Sequence, residues 1–100
     1  MTDSEKKDKI AAVNELLENA EASCSILGGA WDGSEPEDFA EAILGVSTDI
    51  PAIIYGTERV IKCFMDKNDW DYETAREWFE YNTLRAAPYE KFPPIFVEEV

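Results

Sequence analysis

Apolar residues near the start of the chain recur at the spacing of one helical face, at Ile10, Val13, Leu16, Leu17 and Ala20. Ser4 can cap this helix, and Glu5 lies in the first turn, where a negative charge is favourable. The pattern therefore predicts an amphipathic helix over residues 5–22. Its polar face carries Asn14, Glu15, Glu18 and Glu21.

A capping-box pattern predicts a second, short helix after residue 34. Ser34 and Glu37 have the required spacing, and Pro36 stands in the first turn, where proline is tolerated. Gly45 is placed to end this helix, whose apolar face consists of Phe39, Ala40, Ile43 and Leu44. Between the two helices, the apolar run at residues 25–27 fits a short strand.

The second half of the chain begins with a compact apolar run at residues 51–55, which predicts a buried strand that opens with proline. Thr57 can cap the helix that follows, whose apolar stripe consists of Val60, Ile61, Phe64 and Met65. Residues 95–97 form a last short apolar run. We expect this strand to pair with residues 52–55, because isolated strands are not stable in a small domain.

A fourth helix is predicted to begin after Asp71 as its N-cap, with Trp70 in the position of a hydrophobic staple. One face of it carries Ala75, Trp78, Phe79 and Asn82. We interpret Asn82 as a buried amide that ties the loop of residues 86–94 to the helix. The predicted fold class is α+β, mainly helical with about four helices and a small two- or three-stranded sheet.

Composition adds that these elements form one domain. The chain has 100 residues, too few for two independent cores, and an apolar share of 45% argues against disorder. Its start is charged, and no apolar run approaches the roughly 20 residues that span a bilayer. We therefore expect one acidic domain over residues 1–100 in the cytoplasm. It would consist of the N-terminal helix and a strand–helix–helix–strand unit over residues 51–97.

Residue types that commonly perform catalysis are scarce. The chain contains no histidine, which removes the commonest general base and the commonest zinc ligand. Neither a nucleophile motif nor a phosphate-binding glycine loop is present. Without an export signal, Cys24 and Cys63 are expected to be reduced and buried. The sequence thus predicts no enzyme, no catalytic residues and no cofactor.

Residues 66–77 resemble an EF-hand loop in part. Asp66, Asn68 and Glu77 fit its first, third and twelfth positions. Trp70 replaces a ligand, however, and Asp71 stands where the loop needs glycine. A helix–helix turn with a capping Asp71 is the favoured interpretation, and no metal site is predicted. The other acids could supply a carboxylate pair for acid/base chemistry, but a solvated surface is the more common role of such runs.

Charge is the most informative feature of the composition. The formal net charge is −13, and no Lys or Arg occurs between Lys9 and Arg59. A negative field repels nucleic acid and anionic lipid and attracts basic protein surfaces. We therefore expect no direct nucleic-acid or membrane binding. The predicted partner-binding residues are the first eight of the ten acids in this base-free stretch: Glu15, Glu18, Glu21, Asp32, Glu35, Glu37, Asp38 and Glu41.

Aromatic residues concentrate at the other end of the chain. Those after residue 69 are Trp70, Tyr72, Trp78, Phe79, Tyr81, Tyr89, Phe92 and Phe96. The helical stripe assigns Trp78 and Phe79 to the core. Tyrosine and tryptophan are also typical anchors of protein interfaces. Core packing is favoured for each, with an interface role as the alternative.

The second half resembles a group of small, uncharacterised proteins encoded by bacteriophages and bacteria. The resemblance is carried by three blocks, Pro51-Ala52-Ile53-Ile54-Tyr55, then residues 70–84 around Trp78-Phe79-Glu80-Tyr81-Asn82, and Pro94-Ile95-Phe96. Arg85 departs from the pattern, since the related proteins usually have glycine there. The resemblance implies a phage or prophage setting and the host cytoplasm, and it supplies no catalytic residues.

Two functions are predicted on this basis. The first is a small phage-type protein that binds a basic surface of a host protein and inhibits or regulates it. Such a protein could act as a nucleic-acid mimic against a nucleic-acid-binding protein, in the manner of anti-CRISPR or anti-restriction inhibitors. The alternative is an oligomeric structural or accessory protein, such as a homodimer, in which the N-terminal helix and the late aromatic residues form the self-interface.

Overall fold

The computed structural model describes residues 1–19, 36–49, 52–84 and 93–100. These residues form an α+β fold that is mainly helical and contains a three-stranded sheet, which confirms the predicted fold class. The helices are α1 (Asp3–Asn19), a 3₁₀-helix (Pro36–Ala42), α2 (Thr57–Asn68), α3 (Tyr72–Trp78) and a π-helix (Phe79–Leu84). The strands are β1 (Ile43–Val46), β2 (Ile53–Gly56) and β3 (Ile95–Val97).

The first helix begins two residues earlier than predicted, because Thr2 rather than Ser4 provides its cap. The Glu5 amide donates to Thr2 Oγ1 over 3.2 Å, and the Thr2 amide donates to the Glu5 carboxylate over 3.1 Å. This reciprocal pair is a capping box. The helix buries Ile10, Val13 and Leu17.

Leu16 was predicted in the same stripe but is 53% exposed. Successive residues of an α-helix are about 100° apart, which turns Leu16 away from the face that Leu17 buries. The prediction for Leu16 is therefore wrong. Ala20 and the predicted extension to residue 22 lie outside the described residues, as do Cys24 and the predicted strand at residues 25–27.

The second predicted helix is replaced in part by a strand. Residues 36–42 form the 3₁₀-helix, but Ile43 leaves it and starts β1. β1 pairs antiparallel with β2, with Ile43 opposite Tyr55 and Val46 opposite Ile53. The register shifts between Ile43 and Gly45, which leaves Leu44 as an extra, exposed residue in a bulge. Pairing with β2 thus overrides the helical spacing of the apolar residues, and Gly45 lies within the strand.

β2 is the central strand of the sheet, whose order is β1-β2-β3. Its parallel partner β3 places Ile95 beside Ile54 and Phe96 beside Tyr55. The predicted pairing of residues 52–55 with residues 95–97 is therefore confirmed. Parallel strands require a crossover connection, and α2 and α3 lie in the segment that provides it.

The helix α2 follows β2 directly. Thr57 is its first residue and is buried, and the capping position belongs to Gly56, without a side-chain hydrogen bond. The predicted cap at Thr57 is thus wrong. A Cβ atom at Gly56 would meet the carboxylate of Glu99 and crowd Arg59, so a larger residue here would have to displace these two exposed side chains. The helix ends at Asp69, which has a left-handed conformation with φ of 55°.

The helix α3 starts as predicted, since the Asp71 carboxylate accepts a hydrogen bond of 2.8 Å from the Thr74 amide. After Trp78 the backbone continues as a π-helix. A π-helix advances by a smaller angle per residue than an α-helix, because its hydrogen bonds span five residues instead of four. Thr83 is consequently buried on the same side as Phe79, and Asn82 is exposed. The predicted buried amide at Asn82 is wrong: its Nδ2 donates to the Trp78 carbonyl over 3.3 Å.

The hydrophobic core draws on both halves of the chain. Residues of α1 and the 3₁₀-helix pack with α2, α3 and the sheet in one cluster. Phe39 and Phe64 meet edge to face, with ring centroids 5.1 Å apart, and Phe96 contacts both Tyr55 and Phe79. None of the helices in the described part of the chain has the length and apolar character needed to cross a lipid bilayer.

Candidate functional site

The eight predicted partner-binding acids fall on different parts of the fold. Glu15 and Glu18 lie on α1, both exposed. The 3₁₀-helix, which packs against α1, carries Glu37, Asp38 and Glu41. The remaining three, Glu21, Asp32 and Glu35, lie outside the described residues.

Glu15 and Glu18 project from the side of α1 that faces away from its buried residues. They are three residues apart and therefore neighbours on the helix surface. Among the ion pairs between described residues, none involves Glu15 or Glu18. These two carboxylates, which we call the α1 acidic face, are exposed and have no ion-pair partner among the described residues.

Asp38 and Glu41 have a different environment, because cationic groups lie beside them. Lys67 Nζ is 3.2 Å from Asp38, and the N-terminal amine of Met1 is 3.4 Å from Glu41. Both acids line a cavity of about 370 Å³ that is shared with Lys6, Cys63, Asp66 and Lys67. This cavity has mixed charge, so it does not continue the α1 acidic face as a purely negative surface.

The charge of Arg59 on α2 acts on Lys9 of α1. Burial lowers the pKa of Lys9, and the positive charge of Arg59 lowers it further. Arg59 in turn donates to Glu99 through its Nε over 2.6 Å, which lowers the pKa of that carboxyl. Lys9 and Arg59 are the two ends of the base-free stretch in the sequence, and in the fold the charge of Arg59 is close enough to affect the pKa of Lys9.

Cys63 is buried as a free thiol, which confirms the prediction for this cysteine. Burial raises its pKa to about 11, and the negative charges of Glu41 and Asp66 act in the same direction. A thiolate is the nucleophilic form of cysteine, so the raised pKa keeps Cys63 unreactive at neutral pH.

A second cavity lies on the aromatic side of the molecule. This cleft of about 320 Å³, which we call the aromatic cleft, is lined by Trp70, Thr74, Glu77, Trp78, Tyr81 and Asn82. The Trp70 and Trp78 rings are in contact, with centroids 5.4 Å apart and planes tilted by 48°. Tyr81 is 54% exposed at its edge. Trp78 Nε1 is buried and meets no acceptor among the described residues.

The chain around the aromatic cleft is acidic. Glu77 lines it directly, and Glu73 lies one turn earlier on α3. The nearby base, Arg76, is engaged elsewhere: its Nε donates to Glu80 over 3.0 Å, and its Nη1 donates to the Tyr72 hydroxyl over 2.8 Å. No ion pair between described residues involves Glu77, which leaves a negative charge at the wall of an aromatic cleft.

Arg76 and Tyr72 also connect α3 to α2. The Tyr72 hydroxyl donates to the Glu58 carboxylate over 2.9 Å, while it accepts from Arg76. These hydrogen bonds raise the pKa of Arg76, with the Tyr72 contact as the main cause. The network fixes the position of α3 on α2 and so holds one wall of the aromatic cleft.

The partial EF-hand pattern does not assemble into an ion-binding loop. Asp69 ends α2 and Asp71 caps α3, which confirms the favoured interpretation of a helix–helix turn. Across the described ranges, no three His, Cys, Asp or Glu side chains are grouped so that they could hold a metal ion.

The sequence interpretation missed the aromatic cleft, although its signal was present. Thr74, Glu77, Trp78 and Tyr81 have the spacing of one helical face, next to the face that Ala75 and Phe79 bury. Trp78 was assigned to the core, and it does pack against the core while it lines the cleft. The position of Trp70 against Trp78 depends on the turn between α2 and α3, which spacing alone does not define.

The α1 acidic face and the aromatic cleft are the two candidate functional surfaces in the described part of the chain. The resemblance to the phage and bacterial proteins stays a prediction. Comparison with models of protein families, with curated proteins and with solved structures gives no match for this chain.

Proposed function

We propose that this protein binds a basic surface of another protein through the α1 acidic face and thereby inhibits or regulates that partner. The partner surface in this proposal is one that otherwise binds nucleic acid, so the protein acts as a nucleic-acid mimic. A phage-encoded inhibitor in the host cytoplasm is the setting that the sequence resemblance favours.

The observation that carries the proposal is that Glu15 and Glu18 are exposed on a helix and form no ion pair with any residue that the structure describes. Carboxylates without a cationic neighbour project their field into solvent, and a net charge of −13 strengthens that field. Such a field accelerates encounter with a positively charged partner and repels nucleic acid itself.

The mixed-charge cavity contributes less to this proposal. Lys67 and the N-terminal amine already neutralise part of the charge of Asp38 and Glu41. A partner would have to displace these contacts before it could use either carboxylate. No described base would have to be displaced from Glu15 or Glu18, so the experiment substitutes these two residues.

The experiment compares the wild-type protein with the double variant Glu15→Gln/Glu18→Gln as bait in a host lysate. A bound basic protein is identified, purified and titrated with each bait at about 50 mM and about 500 mM salt. We expect wild-type affinity to fall steeply with salt and the double variant to bind at least about tenfold more weakly at low salt. Duplex DNA should compete with the wild-type protein for the partner.

The matched control is Glu73→Gln/Glu98→Gln, which removes the same charge from exposed positions elsewhere. If this control loses as much affinity as the double variant, general charge and not the α1 acidic face governs binding, and the proposal is wrong. Affinity that does not change between the two salt concentrations also contradicts it.

The exposed apolar side chain of Leu16 favours the alternative function, an oligomeric accessory protein. Leu16 lies on α1 and is 53% exposed in the single chain. A large apolar side chain that a second copy covers in a homodimer is exposed in this way when the chain is alone. Sedimentation at several protein concentrations tests this. A mass that increases with concentration in the wild-type protein and stays monomeric in Leu16→Gln supports the alternative, and a monomer throughout removes it.

A further inference from the structure

We propose that the aromatic cleft binds an arginine side chain of a partner protein. In this arrangement the guanidinium group stacks on the indole surface formed by Trp70 and Trp78 and forms an ion pair with Glu77. Tyr81 covers the stem of the arginine at the edge of the cleft.

The shape of the cleft favours a planar group. Because Trp70 and Trp78 contact each other at a centroid distance of 5.4 Å, they cannot face one another across a guest. They present a tilted aromatic wall to a cleft that the exposed residues Thr74 and Tyr81 also line. A flat guanidinium stacks on such a wall, whereas a quaternary ammonium ion is best held by a cage that surrounds it.

The charge of the cleft favours a cation. Glu77 is the acidic residue of its lining, and no described base forms an ion pair with it. Arg76, the adjacent base, is held by Glu80 and Tyr72 on another side of α3. An incoming cation would therefore meet an uncompensated carboxylate beside two electron-rich ring faces. Both interactions are favourable for the same group only if that group is a cation.

Arginine fits both features better than lysine. Its guanidinium is weakly hydrated, so stacking on an indole costs less desolvation than burying the ammonium of lysine. It also offers several N–H donors in one plane, which allows contact with Glu77 while the flat face rests on the ring. An uncharged apolar side chain would use the ring surface and leave Glu77 without a partner.

This inference does not rest on the proposed function. The α1 acidic face and the aromatic cleft belong to different elements and are tested by different substitutions. A partner with a basic surface would use both, but the cleft would bind an isolated arginine whether or not Glu15 and Glu18 bind anything.

The experiment titrates the ¹⁵N-tryptophan-labelled protein with a capped Gly-Gly-Arg-Gly-Gly peptide and records the indole N–H signals. The chain has three tryptophans, and Trp→Phe variants assign their signals. We expect saturable shifts of the Trp70 and Trp78 signals with a dissociation constant of about 1–10 mM. The same peptide with citrulline, a neutral isostere of arginine, should bind about tenfold more weakly, and the lysine peptide several-fold more weakly.

Two matched substitutions distinguish binding that depends on the cleft from binding that depends on the general negative charge of the protein. Glu77→Gln removes the carboxylate that lines the cleft, and Glu73→Gln removes an equal charge one turn away. We expect Glu77→Gln to weaken arginine-peptide binding about fivefold and Glu73→Gln to change it by less than about twofold. Far-UV circular dichroism of both variants verifies that the helices are retained.

Three outcomes overturn the inference. The first is the absence of saturable shifts of Trp70 and Trp78 at peptide concentrations up to about 20 mM. The second is equal affinity for the arginine and citrulline peptides, which would mean that the cleft binds backbone or apolar surface. The third is an equal effect of Glu77→Gln and Glu73→Gln, which would assign the binding to diffuse electrostatics.

Discussion

Cys63 shows at the residue scale how the surroundings of one side chain determine its chemistry. It is 9% exposed in α2, and two carboxylates, Glu41 and Asp66, lie close enough to oppose a second negative charge. Desolvation and these charges both stabilise the protonated thiol. The sequence indicated a reduced cysteine, but the direction of its pKa shift follows from neighbours on the 3₁₀-helix and α2.

We predict that Cys63 reacts slowly with iodoacetamide in the folded protein. A pKa raised from 9.0 to about 11 reduces the thiolate fraction at pH 8 about 100-fold. The measurement compares the alkylation rates of a Cys24→Ser variant with and without denaturing urea. Equal rates in the two conditions would show that Cys63 is not protected.

The same pKa shift predicts a pH dependence of stability. Because the folded pKa lies above the unfolded one, the contribution of protonated Cys63 is fully present below about pH 9. It decreases as the pH rises through the folded pKa of about 11. Urea unfolding of the Cys24→Ser protein between pH 8 and pH 11 should show this decrease, and the additional variant Cys63→Ala should lack it.

At the scale of elements, the π-helix after α3 decides which side chains reach the core and which reach the aromatic cleft. Its larger turn buries Thr83, leaves Asn82 exposed and lets Tyr81 lie at the edge of the cleft. The hydroxyl of Thr83 is buried and has no hydrogen-bond partner among the described residues. A buried polar group without a partner lowers stability.

We predict that Thr83→Val stabilises the protein by about 0.5–1.5 kcal/mol, because it replaces an unsatisfied hydroxyl with a methyl group of similar size. The control Asn82→Ala should change the free energy of unfolding by less than about 0.5 kcal/mol, as expected for an exposed residue. Chemical denaturation of both variants gives the two values. A large loss in Asn82→Ala together with a loss in Thr83→Val would favour an α-helical register with Asn82 buried.

At the scale of the whole molecule, a net charge of −13 on 100 residues produces self-repulsion. The fold reduces it locally by placing bases beside acids, as with Arg59 and Glu99 or Lys67 and Asp38. Glu15 has no such neighbour among the described residues and contributes only repulsion.

We predict that the melting temperature rises when salt is increased from about 0.01 M to about 0.15 M, because the screening length falls from roughly 30 Å to roughly 8 Å. Glu15→Gln should raise the melting temperature at low salt, and less so at high salt. Glu99→Gln removes the same charge but breaks the contact with Arg59, so this variant should not have a higher melting temperature than the wild-type protein. Thermal unfolding followed by circular dichroism at both salt concentrations compares the three proteins. A melting temperature independent of salt would contradict the prediction.

Features that depend on local spacing were determined by the sequence. The helix of the first residues, the cap at Asp71 and the strand at residues 95–97 follow from periodicity and capping residues, and the structure contains each of them. The net charge and the absence of histidine are likewise properties of the composition alone. The helix, the cap and the composition need no distant contact. The strand at residues 95–97 forms by pairing with β2, but its local apolar run was enough to predict it.

Features that depend on distant contacts were decided only by the tertiary structure. The residues from Ile43 onward have helical spacing, but hydrogen bonds to β2 make them a strand. Folding also brings Arg59 close enough to Lys9 for its charge to lower the pKa of that lysine, although 49 residues without a base separate them in the sequence. The aromatic cleft forms because the turn after α2 returns Trp70 to Trp78. At Ile43 the pairing with β2 outweighs the local helical preference. The other two features depend on the path of the backbone in three dimensions, which the spacing of residues does not define.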